Sequence, residues 1–237
     1  MARIIQAAWL ALAASLLPGC TAAEDKTPDY RYRLTVEVET PEGLKTGSSV
    51  IQVEQSLGGA ASAGGLAGRQ IYYKVRGEAV AVDLPGGRTL FALLRSGNDV
   101  EWSARVMQML APKIQGEPWA ESFDNILSIK GAVEVPRMWP PVGILEERSA
   151  YPMMVTFGDL ADPTSVAVVD PDDLATTFGE GVTLRRITVE LTDDPVTTGI
   201  EERLGWFDSS FKKYTKDEFP NGFPVGDFKG LFKKGTK

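Results

Sequence analysis

The chain has 237 residues, with 25 Lys and Arg against 32 Asp and Glu, a formal net charge of −7, one Cys and no His. Without histidine there is no Ser-His-Asp or Cys-His nucleophile, no His-liganded zinc and no imidazole switch near neutral pH, which leaves an enzyme only carboxylate, Lys, Tyr or Ser–Lys chemistry or oxygen-liganded calcium or magnesium. The acidic balance argues against nucleic-acid binding, which depends on neutralising phosphates.

Residues 1–19 hold one charge, Arg3, ahead of an apolar run from Ile4 to Leu17. That is the layout of a secretory signal peptide, and the run is shorter than the ~20 residues a spanning helix needs. The segment Leu17-Pro18-Gly19-Cys20 resembles the lipobox of bacterial lipoproteins, with Leu three positions before the cysteine and Gly directly before it. The resemblance implies a diacylglycerol on Cys20, loss of the residues before it and acylation of the new amino terminus. Several acyl chains anchor stably, because each buried methylene contributes about 0.8 kcal/mol. Thr21 stands where an Asp would signal inner-membrane retention in enterobacterial lipoproteins, so the resemblance points to the outer membrane. The other reading of the same residues is ordinary cleavage after Ala23, which leaves a free soluble protein.

Residues 20–29 read as a tether and residues 30–210 as one β-rich domain. From Tyr30 to Thr40 the chain alternates, with Tyr30, Tyr32, Leu34, Val36 and Val38 on one face and Arg31, Arg33, Thr35, Glu37 and Glu39 on the other. A period of two predicts a strand with one wet face. Pro41-Glu42-Gly43 turns the chain into a second strand through Ser49, Ile51 and Val53, and the Gly- and Ala-rich stretch 57–68 reads as a loop before a third strand at Ile71, Tyr73 and Val75. Val80, Val82 and Leu84, then Leu90, Ala92 and Leu94, flank Pro85-Gly86-Gly87 as a hairpin. Asn98 or Asp99 is expected to cap a helix that carries Trp102, Val106, Met109 and Leu110 and stops at Pro112. Strand pieces are expected near 126–135, at 152–158 and at 165–169. Asp170 is expected to cap a short helix with Pro171 in its first position and Gly179 past its end. In the strand from Val182 to Leu191 the apolar phase slips at Arg185-Arg186, which predicts a β-bulge. Arg33–Val38 echoes Arg186–Leu191, so these stretches are expected to be sheet neighbours whose Arg and Glu pair across the wet face. The fold class expected is α+β, mostly antiparallel β-sheet, sandwich- or barrel-like, with a few short helices. One compact domain is the first reading and a split near 112–122 the alternative.

Asp170, Asp172 and Asp173, with Asp159 and Asp162 upstream, offer oxygen ligands, but helix capping accounts for the core of the cluster and the spacing of a calcium loop is missing. Ser209 and Ser210 open S-x-x-K matches onto Lys212 and Lys213, Ser96-Gly97-Asn98 is an S-x-N and Lys45-Thr46-Gly47 a K-T-G. Together they resemble the signature set of penicillin-binding proteins and serine β-lactamases in reversed order, and Lys45-Thr46-Gly47 also reads as a plain turn. The pairs Glu37/Glu39 and Glu146/Glu147 could do glycosidase work, although Glu37 and Glu39 share a wet strand face. The stretch 57–68 lacks the lysine and helix start of a phosphate cradle.

Residues 211–237 interleave Phe211, Tyr214, Phe219, Phe223, Phe228 and Phe232 with seven Lys, and Pro and Gly keep them from being a regular helix. They read as a basic aromatic strap packed on the body; the same composition suits anionic headgroups or an acidic partner. The extended stretch 135–142, "VPRMWPPV", adds Trp139 as a docking candidate. The candidate partner or membrane contacts are therefore Trp139, Phe219, Phe223, Phe228, Phe232, Lys233 and Lys234, and no catalytic residue, metal or cofactor is assigned. The functional expectation is a non-catalytic lipoprotein of the cell envelope, anchored at Cys20, facing the periplasm with the outer membrane favoured, and binding or assembling with a protein partner there. A cell-wall hydrolase or lyase using carboxylate or Ser–Lys chemistry is the alternative. The likeness to uncharacterised proteobacterial lipoproteins rests on residues 1–20.

Overall fold

The alternation at Tyr30–Glu39 forms strand β1, with every second side chain buried. It pairs antiparallel with β2 (Lys45–Gly58) through the turn at Pro41–Gly43, and on its other side with β11 (Thr183–Leu191). The computed structural model describes residues 27–58, 70–97, 99–141, 146–207, 215–220 and 223–235. The signal and lipobox at 1–20, the rest of the tether to residue 26, the stretch 59–68, Asn98, Val142, Ser209, Ser210, Phe211, Lys212, Lys213 and Tyr214 lie outside the described residues.

The predicted bulge is present. Glu37 faces Arg186 and Val38 faces Leu184, so Arg185 is the extra residue. The echoing segments are neighbours as expected: Arg186 donates to both Glu37 oxygens at 3.0 and 2.8 Å, and Arg185 reaches Glu39 at 2.6 Å. Arg33 faces Glu190 in register yet pairs instead with Asp194, beyond the end of β11.

Adding β3 (Gln70–Glu78), β6 (Val133–Glu134) and β12 (Lys233–Lys234) gives a six-stranded sheet in the order β12-β3-β2-β1-β11-β6. A second sheet has the order β10-β9-β5-β4, from β4 (Val80–Leu84), β5 (Arg88–Ala92), β9 (Met154–Phe157) and β10 (Val166–Val169). A small hairpin pairs β7 (Met138–Trp139) with β8 (Arg148–Ser149). The architecture is α+β and sandwich-like, and among the described residues no sheet closes into a barrel. Lys45-Thr46-Gly47 lies within β2 rather than in a turn.

The first core lies between the sheets, where Tyr32, Leu34, Val36 and Ile51 meet Val82, Leu90 and Met154. Helix α1 (Trp102–Leu110) covers one end of it. The Tyr32 hydroxyl donates to the Ser103 carbonyl at 2.6 Å and that of Tyr30 to Ala104 at 3.0 Å, so each buried phenol is satisfied by the helix's first turn. Burial pushes both phenols well above their ordinary value. α1 starts later than the cap expected at Asn98 or Asp99. Ser96 and Asp99 exchange backbone hydrogen bonds in a tight loop, and the Asp99 carboxylate accepts from the Glu101 N–H at 3.1 Å, which shapes the loop ahead of the helix.

Two more expectations are corrected. Glu121–Ser128 is a 3-10 helix, because Phe123 and Ile126, three apart, are the residues that bury; strand remains only at β6. Helix α2 (Leu174–Phe178) is capped by Asp173, whose carboxylate accepts the Thr176 N–H at 3.1 Å, while Asp170 accepts the Asp172 N–H in the turn before it. Gly179 does follow the helix, at φ +104°, a value only glycine takes without strain.

The second sheet is covered on both faces. Phe91, Leu93, Val155 and Phe157 point away from the first core into a second one, closed by helix α3 (Ile200–Arg203), Trp206 and the strap. The strap contributes Phe219, Phe223 and helix α4 (Phe228–Phe232). Ring centroids around Phe228 lie 5.0–5.7 Å from Trp206, Phe219, Phe223 and Phe232, the spacing of packed aromatics.

Candidate binding groove

The chain crosses from the first sheet to the second at one residue: β3 ends at Glu78, Ala79 follows, and β4 starts at Val80. At this corner Glu78 is only 2% exposed. A buried carboxylate is costly unless paired and hydrogen-bonded, and this one is both. It accepts the N–H groups of Gly199 at 3.2 Å and Ile200 at 2.8 Å where α3 begins, and Lys233 Nζ lies 3.0 Å from it. Lys233 stands directly opposite Glu78 in the β12–β3 pair and also donates to both oxygens of Glu201, at 2.9 and 2.8 Å. Burial works against the Lys233 ammonium, but hydrogen bonds to Glu201 and Glu78 outweigh it and hold its pKa above the ordinary lysine value. The hydrogen bond from Lys233 holds Glu201 below the usual carboxylate range.

Beside this triad the segment 196–201 meets the edge of β2 at Val50, short of the first β2–β3 pair at Gln52 and Arg76. The Thr197 N–H donates to the Val50 carbonyl at 3.1 Å, and the Thr197 hydroxyl accepts from the Val50 N–H at 2.8 Å. Between this segment, β2, β3 and residues 233–235 opens a cavity of about 730 Å3, with Gln52, Lys74, Arg76, Thr198, Glu201 and Lys234 in its lining. Lys74 and Arg76 form its basic wall. They share one carboxylate, Glu54, at 3.1 and 3.5 Å. Lys234, on the opposite strand face from Lys233, donates to the Val100 carbonyl at 2.9 Å and reaches the Ser103 hydroxyl at 3.4 Å; burial pulls its pKa down.

A lysine of lowered pKa beside a serine is the ingredient of Ser–Lys catalysis. Here Ser103 is fully buried beneath Lys234, so its hydroxyl is closed to any substrate carbonyl. The other chemical candidates have structural partners too. Lys45 pairs with Glu42 at 3.4 Å, and Asp172 pairs with Arg137 at 2.5 Å. Asp159 and Asp162 accept N–H groups of their own loop, and Ser96 donates to the Tyr151 carbonyl at 2.5 Å. Among the described residues no three acids stand close enough to share a cation. What the groove offers is an open surface with cationic side chains on a rigid sheet.

Of the residues singled out for contact, the structure moves five inside. Trp139 is buried in the first core, and Phe219, Phe223, Phe228 and Phe232 in the second, so their rings close the body rather than meet a partner or membrane. Lys233 and Lys234 line the groove. The residues that give the groove its character, Lys74 and Arg76, were missed, as was the neighbouring Tyr72, 51% exposed. The signal was present in their phase: Tyr72, Lys74 and Arg76 alternate with Ile71, Tyr73 and Val75 and so had to share the wet face. No family model, no curated protein and no solved structure matches the chain.

Proposed function

We propose that this protein is a non-catalytic binding or assembly module of the cell envelope, held at the periplasmic face of a membrane, the outer membrane by preference, through lipid on Cys20. The observation that carries the binding role is the open groove at Lys74 and Arg76, whose acid–base group, Glu78–Lys233–Glu201, is engaged in holding chain segments together. General acid–base catalysis needs such groups within hydrogen-bond reach of a substrate; here they reach each other. The anchoring role rests on the lipobox-like Leu17-Pro18-Gly19-Cys20, and among the described residues no helix is long and apolar enough to cross a membrane.

Mass spectrometry of the protein from its native membrane tests the anchor. The expected amino terminus is a diacylglyceryl-modified Cys20, and Cys20→Ala should leave a chain that no longer partitions into detergent. A photo-crosslinker at position 72 should trap a protein partner in intact cells. A chain that keeps residues 1–19 in the cytosol, or one that cleaves purified cell wall, overturns the reading.

A further inference from the structure

We propose that the outer edge of β3 receives an acidic, extended peptide as an added strand, which rests on the binding-module reading above and gives its partner a chemistry. In the six-stranded sheet β12 pairs only with Gly77 and Glu78. From Gln70 to Arg76, β3 has β2 on one side and, among the described residues, no strand on the other. The hydrogen-bonding direction of that free side follows from the corner. The Ala79 N–H donates away from β2, to the Phe232 carbonyl at 2.7 Å. Strand alternation turns the backbone groups of Val75, Tyr73 and Ile71 the same way. Beyond Val75, against which Gly235 lies, those of Tyr73 and Ile71 form a ready template for one more strand.

The side chains say which strand fits. The wet face of β3 shows Tyr72, Lys74 and Arg76, and no acid lies between Gln70 and Arg76. The Lys74 and Arg76 side chains are 63% and 46% exposed. A strand laid beside them places every second side chain opposite these residues, so Asp or Glu at alternate positions makes cross-strand ion pairs. The same charges oppose a second copy of the chain, since pairing β3 with itself sets two basic strands side by side. One end of the slot is closed: Gly235 lies against Val75 and Arg76 so tightly that a side chain on it would press into Arg76. An incoming strand therefore stops at the groove, where its last side chains meet the cavity beside Lys234. A basic edge rejects indiscriminate strand pairing and accepts an acidic one, which gives specificity by repulsion as well as attraction.

The test is fluorescence anisotropy of the full chain with a labelled peptide of about ten residues, a usual strand length, alternating Glu with Val and Thr. Saturable binding that weakens with added salt is expected. Lys74→Glu with Arg76→Glu, both exposed, should weaken binding about tenfold or more and confer binding of the matching Lys peptide. Methylating alternate backbone nitrogens of the peptide should abolish binding at unchanged charge. Tyr73→Pro, which removes an outward N–H, should do the same in a variant whose circular dichroism is unchanged. Absence of saturable binding, or binding indifferent to charge reversal and to N-methylation, overturns the proposal. A dimer that Lys74→Glu/Arg76→Glu dissolves overturns it in favour of a second copy, and uptake on phosphatidylglycerol vesicles without peptide binding overturns it in favour of a membrane surface. If the proposal fails while Cys20 carries lipid and crosslinks form from another face, the envelope reading stands without it.

Discussion

A Cβ on Gly47 would run into the carbonyl oxygen of Ala81, because β2 crosses β4 there with no side chain between them. Gly47→Ala pushes β2 and β4 apart at this contact. Overpacking costs about 1–3 kcal/mol, and the obstacle is backbone, which cannot swing away, so the upper end is expected in urea denaturation. Glu78 is the other single position on which much depends. Removing one partner of a buried ion pair costs about 3–5 kcal/mol, and Glu78→Gln should fall at the low end because Glu201 still holds Lys233. Lys233→Met instead leaves the buried Glu78 carboxylate without its cation, and should cost more than Glu78→Gln. The same denaturation series measures both. Neither role was legible beforehand. Gly47 sat inside a match to a catalytic motif, and its reason is a contact with a distant strand. Glu78 is a lone acid after Gly77 at a strand end, indistinguishable in sequence from a solvated turn, and no periodicity ties it to Lys233.

At the scale of elements, the strap is held by two different forces, and each can be loosened alone. Its rings give the hydrophobic part: Phe232 is fully buried among Phe91, Phe157 and Trp206, and Phe232→Ala should cost about 3–5 kcal/mol by thermal or urea unfolding. Its charges give the electrostatic part, with a definite pH window. Glu201 has a folded-state pKa lowered from 4.5, chiefly by the hydrogen bond from Lys233. A lowered carboxylate stabilises the fold above its unfolded value and loses that contribution as pH falls through the folded value. The clasp of β12 on α3 should therefore slacken below pH 4.5, seen as a change in Trp206 fluorescence that Glu201→Gln makes smaller. Lys233, raised above 10.5, contributes below that pH and loses its contribution only as pH climbs through its higher folded value. The elements that sequence reasoning found are those whose pattern is local. β1 alternates over ten residues, and the bulge in β11 breaks its own alternation. The 3-10 helix at Glu121–Ser128 and the late start of α1 were missed because contacts made elsewhere set them. The strap's aromatic residues were visible in sequence, but which surface they faced depended on a bare sheet face beneath them.

The whole molecule is layered around its smaller sheet, which carries one core on each side. β9 is buried at all four positions and β5 at four of five, which is how a strand covered on both faces reads. Two cores that share a sheet should not melt independently. Trp102 belongs to the first core and Trp206 to the second, so unfolding followed by selective quenching at either site should give coincident transitions. Phe232→Ala should lower both midpoints together; separate midpoints would show that the cores are autonomous. The layering also sets a timetable. The outer face of the smaller sheet comes from residues 79–166, and the described residues that cover it come from residues 200–232. A ribosome finishes the uncovered part well before it reaches the cover. A nascent chain of this design carries a greasy flank, unshielded and recognisable to chaperones, until residues 200–232 have emerged to cover it.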